Sequence, residues 1–491
     1  MNIQRKKNIV IGTLFLWAFC STNLWSQVST DFNCFTIVVG KNVSLDGSII
    51  VAHNEDDFGK QIVNLYKTPA RKFLKDEFIE LANGGKINQV GETNGFIWIE
   101  LPGMKVADSF INDKGVVVAS NGCPSREENP DSTDGGILYW LRRLVAERAN
   151  SAKSAVKIAG SFIDKYGYVS SGRTYTFADR NEAWIFSAVY GKHWIAKKVP
   201  DDEVVVIPNY YTIQEINLSD TNNYLGSPDI ISHAIANGWY SPESGRKFSF
   251  ARAYTALTSI NHPGNIDRIW RGINLLSKKD YPINSQLPFS FSPHKKLDVQ
   301  DIMRVLRDHY EGSKLDKSDM YSKGNPHKVN NATICSGSTQ YSFIAELRMD
   351  KPLEIGTKVW LTFFRPAINI YVPVYLGIDQ IPNGFAIYDY ETAMKFHLDP
   401  PGSTFDTIDT HAYWDFVNSV KYVDSNFKSN FNEVKNYNSF LENKIHRENE
   451  IFEDRVLKIY FDNPKSAIEM IDKYSQESLI KVRNRAIDIC N

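Results

Sequence analysis

Five cysteines occur in 491 residues, at positions 20, 34, 123, 335 and 490. They are too few and too scattered for a disulfide framework, and no C-x-x-C pair suggests zinc or redox chemistry. Cys34 therefore calls for its own explanation. It opens an apolar, β-rich run from Cys34 to Val39, and a second run covers Ser48 to His53. Lys41 to Gly47 between them carries Asn, Ser and Asp-Gly turn residues, so the two runs form a hairpin. With the loop midpoint setting the register, Cys34 falls roughly opposite His53, and Asp56 follows just beyond the strand end. A thiol, an imidazole and a carboxylate then converge. A thiol of pKa about 8.5 beside a chain-terminal amine of about 7.7–8.0 needs no separate base near neutral pH. Cys34 supplies nucleophile and base together only once Asn33 is removed, because an amide nitrogen is no base.

Each residue also has an ordinary structural reading. A lone cysteine at a strand start is commonly a small buried hydrophobe. His53 could be a satisfied sheet-edge histidine, and Asp56, flanked by Glu55 and Asp57, could sit in a solvated acidic loop. Residue type alone leaves these alternatives open.

The elements that must position these groups are mostly strands in the first half. Strands are read at Gly95 to Glu100, Asp108 to Ile111, Val116 to Ser120, Arg173 to Ala178, Ala183 to Ala188, His193 to Lys198 and Val204 to Pro208. Helices are read from Gly136 to Ala149 and, capped by Ser151, to Tyr166. Residues 209–300 are mixed, ending in an Asp298-capped helix to Tyr310. Strands return at Ser342 to Leu347, Lys358 to Phe363 and Asn369 to Val374, and from His411 onward the pattern is helical with a break at Asn463-Pro464. Strand runs separated by helix pairs, without regular βαβ alternation, predict an α+β fold built on antiparallel sheets.

A net charge of -1, from 56 Lys+Arg against 57 Asp+Glu, creates no field to gather nucleic acid or anionic lipid. No H-E-x-x-H, Walker or Rossmann pattern appears, Gly84-Gly85-Lys86 lacks phosphate-loop spacing, and the histidines are scattered, so neither cofactor nor metal is expected. Arg5, Lys6 and Lys7 followed by the apolar stretch Ile9 to Cys20 read as a secretory signal, cut near Ser26 or Gln27. The expected product is periplasmic or secreted, without stable membrane insertion. Bulky Phe19 before Cys20 argues against a lipoprotein anchor. Cys123 and Cys335 either pair or are inert buried thiols, and Cys490 is incidental. The helical carboxyl terminus leaves symmetric self-assembly open.

Cys34-Phe-Thr-Ile-Val-Val, the following Asp46-Gly-Ser turn and the segment Ala52-His-Asn-Glu-Asp56 resemble the N-terminal-nucleophile hydrolases, and more narrowly the PepD-type dipeptidases of cysteine-peptidase family 69. The resemblance continues in Phe110-Ile-Asn-Asp-Lys-Gly-Val-Val-Val-Ala-Ser-Asn121, in Ala183-Trp-Ile-Phe through His193-Trp-Ile-Ala, in Val199-Pro-Asp-Asp-Glu-Val-Val-Val-Ile-Pro-Asn209 and in Ile370-Tyr-Val-Pro-Val-Tyr. It implies a four-layer αββα fold, with two antiparallel sheets between helical layers and a helical carboxyl-terminal extension. It also implies a signal at 1–27, a short propeptide at 28–33, a catalytic domain at 34–400 and the extension at 401–491. The implied activity is hydrolysis of short peptides, chiefly dipeptides. The implied roles are Cys34 as nucleophile, Asp56 as the carboxylate holding nucleophile and amine, and the Asn121 backbone N–H with the Asn209 amide as oxyanion donors. Arg252 matches loosely a family arginine near the nucleophile, or is an ordinary helix-surface residue. His53 departs from the family arginine, and as a partly charged group its help to the thiol should fade as pH rises. Related folds keep the nucleophile while changing the pocket, so an acylase of bile-acid or penicillin amides, or an inactive binding protein, are the competing readings.

Overall fold

The run Phe35–Val39 is buried along its whole length, which a strand achieves only when both its faces are covered. The computed structural model describes residues 34–491 apart from 58–60, 82–83, 284, 331 and 407–409. The signal and propeptide readings, with Cys20 and Asn33, therefore lie outside the described residues.

Phe35–Val39 is an inner strand of a seven-stranded sheet in the order Ser290–Phe291, Val204–Ile207, Phe35–Val39, Ile49–Asp56, Thr339–Leu347, Thr357–Phe363, Val372–Tyr375. Every pairing in it is antiparallel. A second, eight-stranded sheet runs Tyr224–Gly226, Trp194–Lys198, Ala183–Ala188, Arg173–Ala178, Val117–Gly122, Ser109–Asn112, Phe96–Glu100, Asn64–Thr68. It too is antiparallel throughout. Helices Tyr139–Arg148 and Ala152–Tyr166 lie on the outer face of the second sheet, packing Leu141, Val145, Val156 and Ile163 against Tyr175, Phe177, Trp184 and Phe186. Ser151 caps the second of these with a reciprocal Ser154 bond, as the sequence reading has it. Helices Pro263–Leu276 and Val299–Leu306 cover the outer face of the first sheet. The result is the expected α+β arrangement of two antiparallel sheets between helical layers.

Two readings needed correction. The Asp298-capped helix stops at Leu306, with Arg307 as its C-cap, and cannot include Tyr310, which takes a left-handed φ of 74°. The region 209–300 contains a fourteen-residue helix, Pro263–Leu276, that the sequence reading did not resolve. A Cβ on its Gly272 would stand 2.7 Å from the Phe35 ring and 3.2 Å from Val206, so only glycine lets this helix seat so closely on the sheet.

The carboxyl-terminal helices Ala412–Ser425, Phe427–Asp462 and Pro464–Cys490 break at Asn463-Pro464, where the Asn463 side chain caps Ser466. They dock on the Val372–Tyr375 edge of the first sheet. The fixing point is Glu453, buried, which accepts from Arg348 at 2.7 and 3.0 Å, Lys351 at 2.6 Å, Lys358 at 3.0 Å and the Tyr375 hydroxyl at 2.7 Å. Burial alone would raise its pKa, but Lys358 and Arg348 hold it well below the usual carboxylate range. Its stabilising contribution is thus present at neutral pH and lost only as pH falls through that depressed range. Glu453→Ala takes the shared carboxylate from Arg348, Lys351 and Lys358, of which Lys358 keeps Glu346 at 2.9 Å, and should destabilise the fold by about 3–5 kcal/mol, read as a lower urea midpoint. A midpoint unchanged from that of the parent chain would show that the helices do not depend on this cluster.

Candidate active site

Strand periodicity decides which side chains meet. The hairpin register pairs Phe35 with Asn54 and Thr36 with His53, which puts Cys34 level with Glu55. The loop-midpoint register, Cys34 opposite His53, is therefore out by two residues. A two-residue slip keeps every side chain on its own face, so Cys34, Thr36, His53 and Glu55 do share the face turned to the second sheet. The strand also extends through Asp56, and Glu55, Asp56 and Asp57 are all buried. The solvated acidic loop is excluded, because strand Thr339–Leu347 pairs with this segment out to Asp56.

Cys34, 1% exposed, points its Sγ at Glu55 Oε1 at 3.2 Å. Glu55 Oε2 lies 2.9 Å from His53 Nε2, and His53 Nδ1 lies 2.7 Å from the Thr36 hydroxyl. That hydroxyl donates to Asn121 Oδ1 at 2.6 Å, crossing from the first sheet to the second. Burial pushes the Cys34 thiol well above its ordinary range, and the Glu55 and Asp56 charges add to it. Burial likewise raises Glu55 from 4.5 to about 8, against the opposing field of Arg173. His53 is driven down to about 3 by burial and by the Arg173 and Arg142 guanidinium groups. It is neutral at physiological pH, which corrects the expectation of a partly charged imidazole assisting the thiol. The cation that faces the thiol is Arg173, buried at the start of its strand and donating to Ser120 Oγ at 3.1 Å.

On the opposite face, helix Pro263–Leu276 presents Arg268 one turn before Gly272. Its guanidinium donates to the Cys34 carbonyl at 3.0 Å, to Asn209 Oδ1 at 2.9 Å and to Asn265 Oδ1 at 2.7 Å. The Asn209 amide nitrogen donates to the Gly122 carbonyl at 3.0 Å, so its orientation is fixed at both ends. Asn121 donates to the Ile207 carbonyl at 3.2 Å. Asp56 is fully buried, its pKa raised from 3.8 to about 8 by burial against the pull of Thr339, Arg268 and Ser336. Neither of its oxygens makes a hydrogen bond of ordinary geometry within the described residues.

Five of the six sequence-read residues thus meet: Cys34, His53, Asp56, Asn121 and Asn209. Arg252 does not. It is exposed on the short Phe250–Tyr254 helix and reaches Gln286 at 3.4 Å, and the arginine touching Cys34 is Arg268. Glu55, Thr36, Arg173 and Arg268 were missed. Glu55 and Thr36 carry a findable signal, each standing two residues from a named site residue on the same strand face. Arg173 and Arg268 carry none, since what brings them in is the docking of distant elements. Cys34, Cys123, Cys335 and Cys490 are all free thiols, the last exposed. Among the described residues no group of three or more His, Cys, Asp or Glu could hold a metal, and no helix is long and apolar enough to cross a membrane.

The pKa directions have a stability consequence. Asp56 and Glu55 keep protons in the folded state that the unfolded chain releases, so their contribution falls as pH rises from the ordinary carboxylate range to about 8. His53 acts oppositely, losing stability as pH falls from 6.5 to about 3. Thermal melts of Asp56→Asn should therefore decline less than those of the parent chain between about pH 5 and 8. Parallel curves would contradict a protonated, buried Asp56.

A family model described as peptidase family C69 matches residues 33–75 and 130–439, well over half the chain. A protein named "Probable dipeptidase" from Latilactobacillus sakei is 28% identical over 360 residues, covering 71% of this chain and 75% of its own. A "Probable dipeptidase B" from Lactococcus lactis subsp. lactis is 25% identical over 428 residues, covering 82% of this chain and 87% of its own. A solved penicillin V acylase from Agrobacterium tumefaciens aligns over 70% of this chain and 86% of its own, at 13% identity and a TM-score of 0.33. The match of the family model across both segments, over a chain whose two hairpin strands assemble a buried thiol with carboxyl groups, places this protein in peptidase family C69.

Proposed function

We propose that this peptidase is a dipeptidase, exported as a precursor, whose nucleophile is Cys34 after removal of the residues up to and including Asn33. The observation that carries this reading is the surroundings of Cys34. Its carbonyl is held by Arg268, its thiol faces Glu55, and the buried Asp56 carboxyl beside it lacks a well-formed partner among the described residues. An α-ammonium group on Cys34 is the partner such a carboxylate would take, and its charge would return Asp56 to the ionised form. In the reaction, the neutral α-amine takes the thiol proton, becoming the ammonium that Asp56 pairs with, and the thiolate attacks the carbonyl carbon of a short peptide. The tetrahedral oxyanion draws on the Asn121 backbone N–H and on the Asn209 amide, whose position Arg268 and Gly122 fix. Collapse releases the amine product, protonated by the Cys34 ammonium, and leaves a thioester that water hydrolyses. The high pKa of the thiol in the uncut chain fits a latent precursor, since a protonated thiol is a poor nucleophile.

The basic residues Arg5 to Lys7 and the apolar stretch Ile9 to Cys20 support export to the periplasm or medium. The names of the curated relatives support dipeptides as substrates. Mass spectrometry of the purified mature protein should give Cys34 as the first residue, and an active product retaining Asn33 would refute the self-sufficient nucleophile. Cys34→Ser should lower dipeptide turnover by at least about a thousandfold. Parallel assays with conjugated bile acids and penicillins decide the substrate class, and turnover of either in preference to dipeptides would overturn the assignment.

A further inference from the structure

The contacts around Cys34 form one unbroken chain, and the hydrogen-bonding capacity of its last member fixes the direction of every link. Asn121 Nδ2 lies 3.2 Å from the Ile207 carbonyl, an atom that only accepts. The amide oxygen must then be the atom facing Thr36, and the Thr36 hydroxyl spends its single proton on it at 2.6 Å. Toward His53 the same hydroxyl can only accept, so the proton of the imidazole sits on Nδ1. A neutral imidazole with its proton on Nδ1 has Nε2 as an acceptor. The atom 2.9 Å away, Glu55 Oε2, must supply a proton, and the other carboxyl oxygen is left to accept from the Cys34 thiol at 3.2 Å.

We propose that Glu55 is held as a neutral carboxylic acid and acts as a positioning residue, coupling the thiol of Cys34, through the His53 tautomer and Thr36, to the orientation of Asn121 across the two sheets. The role rests on Cys34 being the nucleophile, but the protonation state of Glu55 does not. His53 takes a different job from the arginine usual at its position. A fixed cation there could only attract the thiolate, whereas a neutral imidazole relays hydrogen-bond direction. The groups facing Glu55 are Cys34 on the adjoining segment, His53 and Asp56 on its own strand, and Arg173 from strand Arg173–Ala178. Arg142 from helix Tyr139–Arg148 and Tyr341 from strand Thr339–Leu347 complete the set. Arg173 is bonded to Ser120 and Arg142 to the carbonyls of Asp108 and Lys105. Tyr341 is bonded to the carbonyl of Ala107. None of these bonds goes to the Glu55 carboxyl, and burial outweighs their fields.

Ionising Glu55 reverses the chain. The anion accepts from His53, which moves its proton to Nε2. Nδ1 then accepts the hydrogen bond of the Thr36 hydroxyl, and Asn121 Oδ1 loses its donor. A negative charge also appears 3.2 Å from the sulfur that must become a thiolate. Activity should therefore fall as pH rises through about 8.

The test uses the full chain and two readouts. In infrared difference spectra of parent minus Glu55→Gln, a protonated-carboxyl carbonyl band should appear at neutral pH and disappear as pH rises through about 8. The subtraction removes Asp56 and Glu100, which are also raised to about 8. In assays, Glu55→Gln keeps a donor for His53 and an acceptor for the thiol but cannot ionise. It should retain activity within about tenfold of the parent and lack the alkaline fall, while Glu55→Ala should drop at least about tenfold further. Absence of the band, or a Glu55→Gln variant that is folded yet no better than Glu55→Ala, would overturn the proposal. The band is read without turnover, on Cys34→Ser as well. A chain that proves not to begin at Cys34 would undo the functional reading while leaving this test decisive.

Discussion

Two sheets pressed face to face bury the end where Phe35–Val39 and Ile49–Asp56 lie beside Val117–Gly122, and the chemistry of the site follows from that burial. The side chains of Cys34, Glu55, His53, Thr36 and Asn121 bond one to the next, so they form a chain across the two sheets. The same burial sets their charges. In water Glu55 and Asp56 would be ionised near neutral pH and His53 partly so, whereas here desolvation is the largest influence on all three and opposes charge in each.

The carboxyl-terminal docking point shows the opposite outcome under similar burial. Glu453 is held ionised because Arg348, Lys351 and Lys358 all donate to it within 3.0 Å. Glu55 has cations near it, Arg173 and Arg142, but its hydrogen-bonding partners are a thiol and an imidazole. What separates the two is the presence of charged donors in direct contact, since only these replace the lost hydration. One carboxylate anchors a layer of helices, and the other is an uncharged member of a relay.

A single helix connects packing to chemistry. Gly272 lets Pro263–Leu276 lie against Phe35 and Val206, and that closeness carries Arg268, four residues earlier on the same face, to the carbonyl of Cys34 and the amide of Asn209. A bulkier residue at 272 would push the helix outward and withdraw the guanidinium. The reach of Arg268 to the Cys34 carbonyl and to the Asn209 amide is thus tied to one contact between a ring and a backbone.

The sequence by itself determined the hairpin and the strand faces that gather Cys34, His53 and Asp56, because these depend on period-two alternation and on turn residues close in the chain, while Asn121 and Asn209 were legible only through the family resemblance. The antiparallel α+β architecture was legible for the same reason. What only the tertiary structure decided was the register, off by two, the neutral state of His53, the burial of Glu55 and Asp56, and the identity of the arginine at Cys34. Charge state depends on how much water is excluded by elements hundreds of residues away. Arg268 and Arg173 enter through a helix and a strand whose local patterns say nothing about what they will face. Arg252 was the better match in local sequence, yet it stands in solvent, because proximity to Cys34 is a property of how the layers stack and not of any motif.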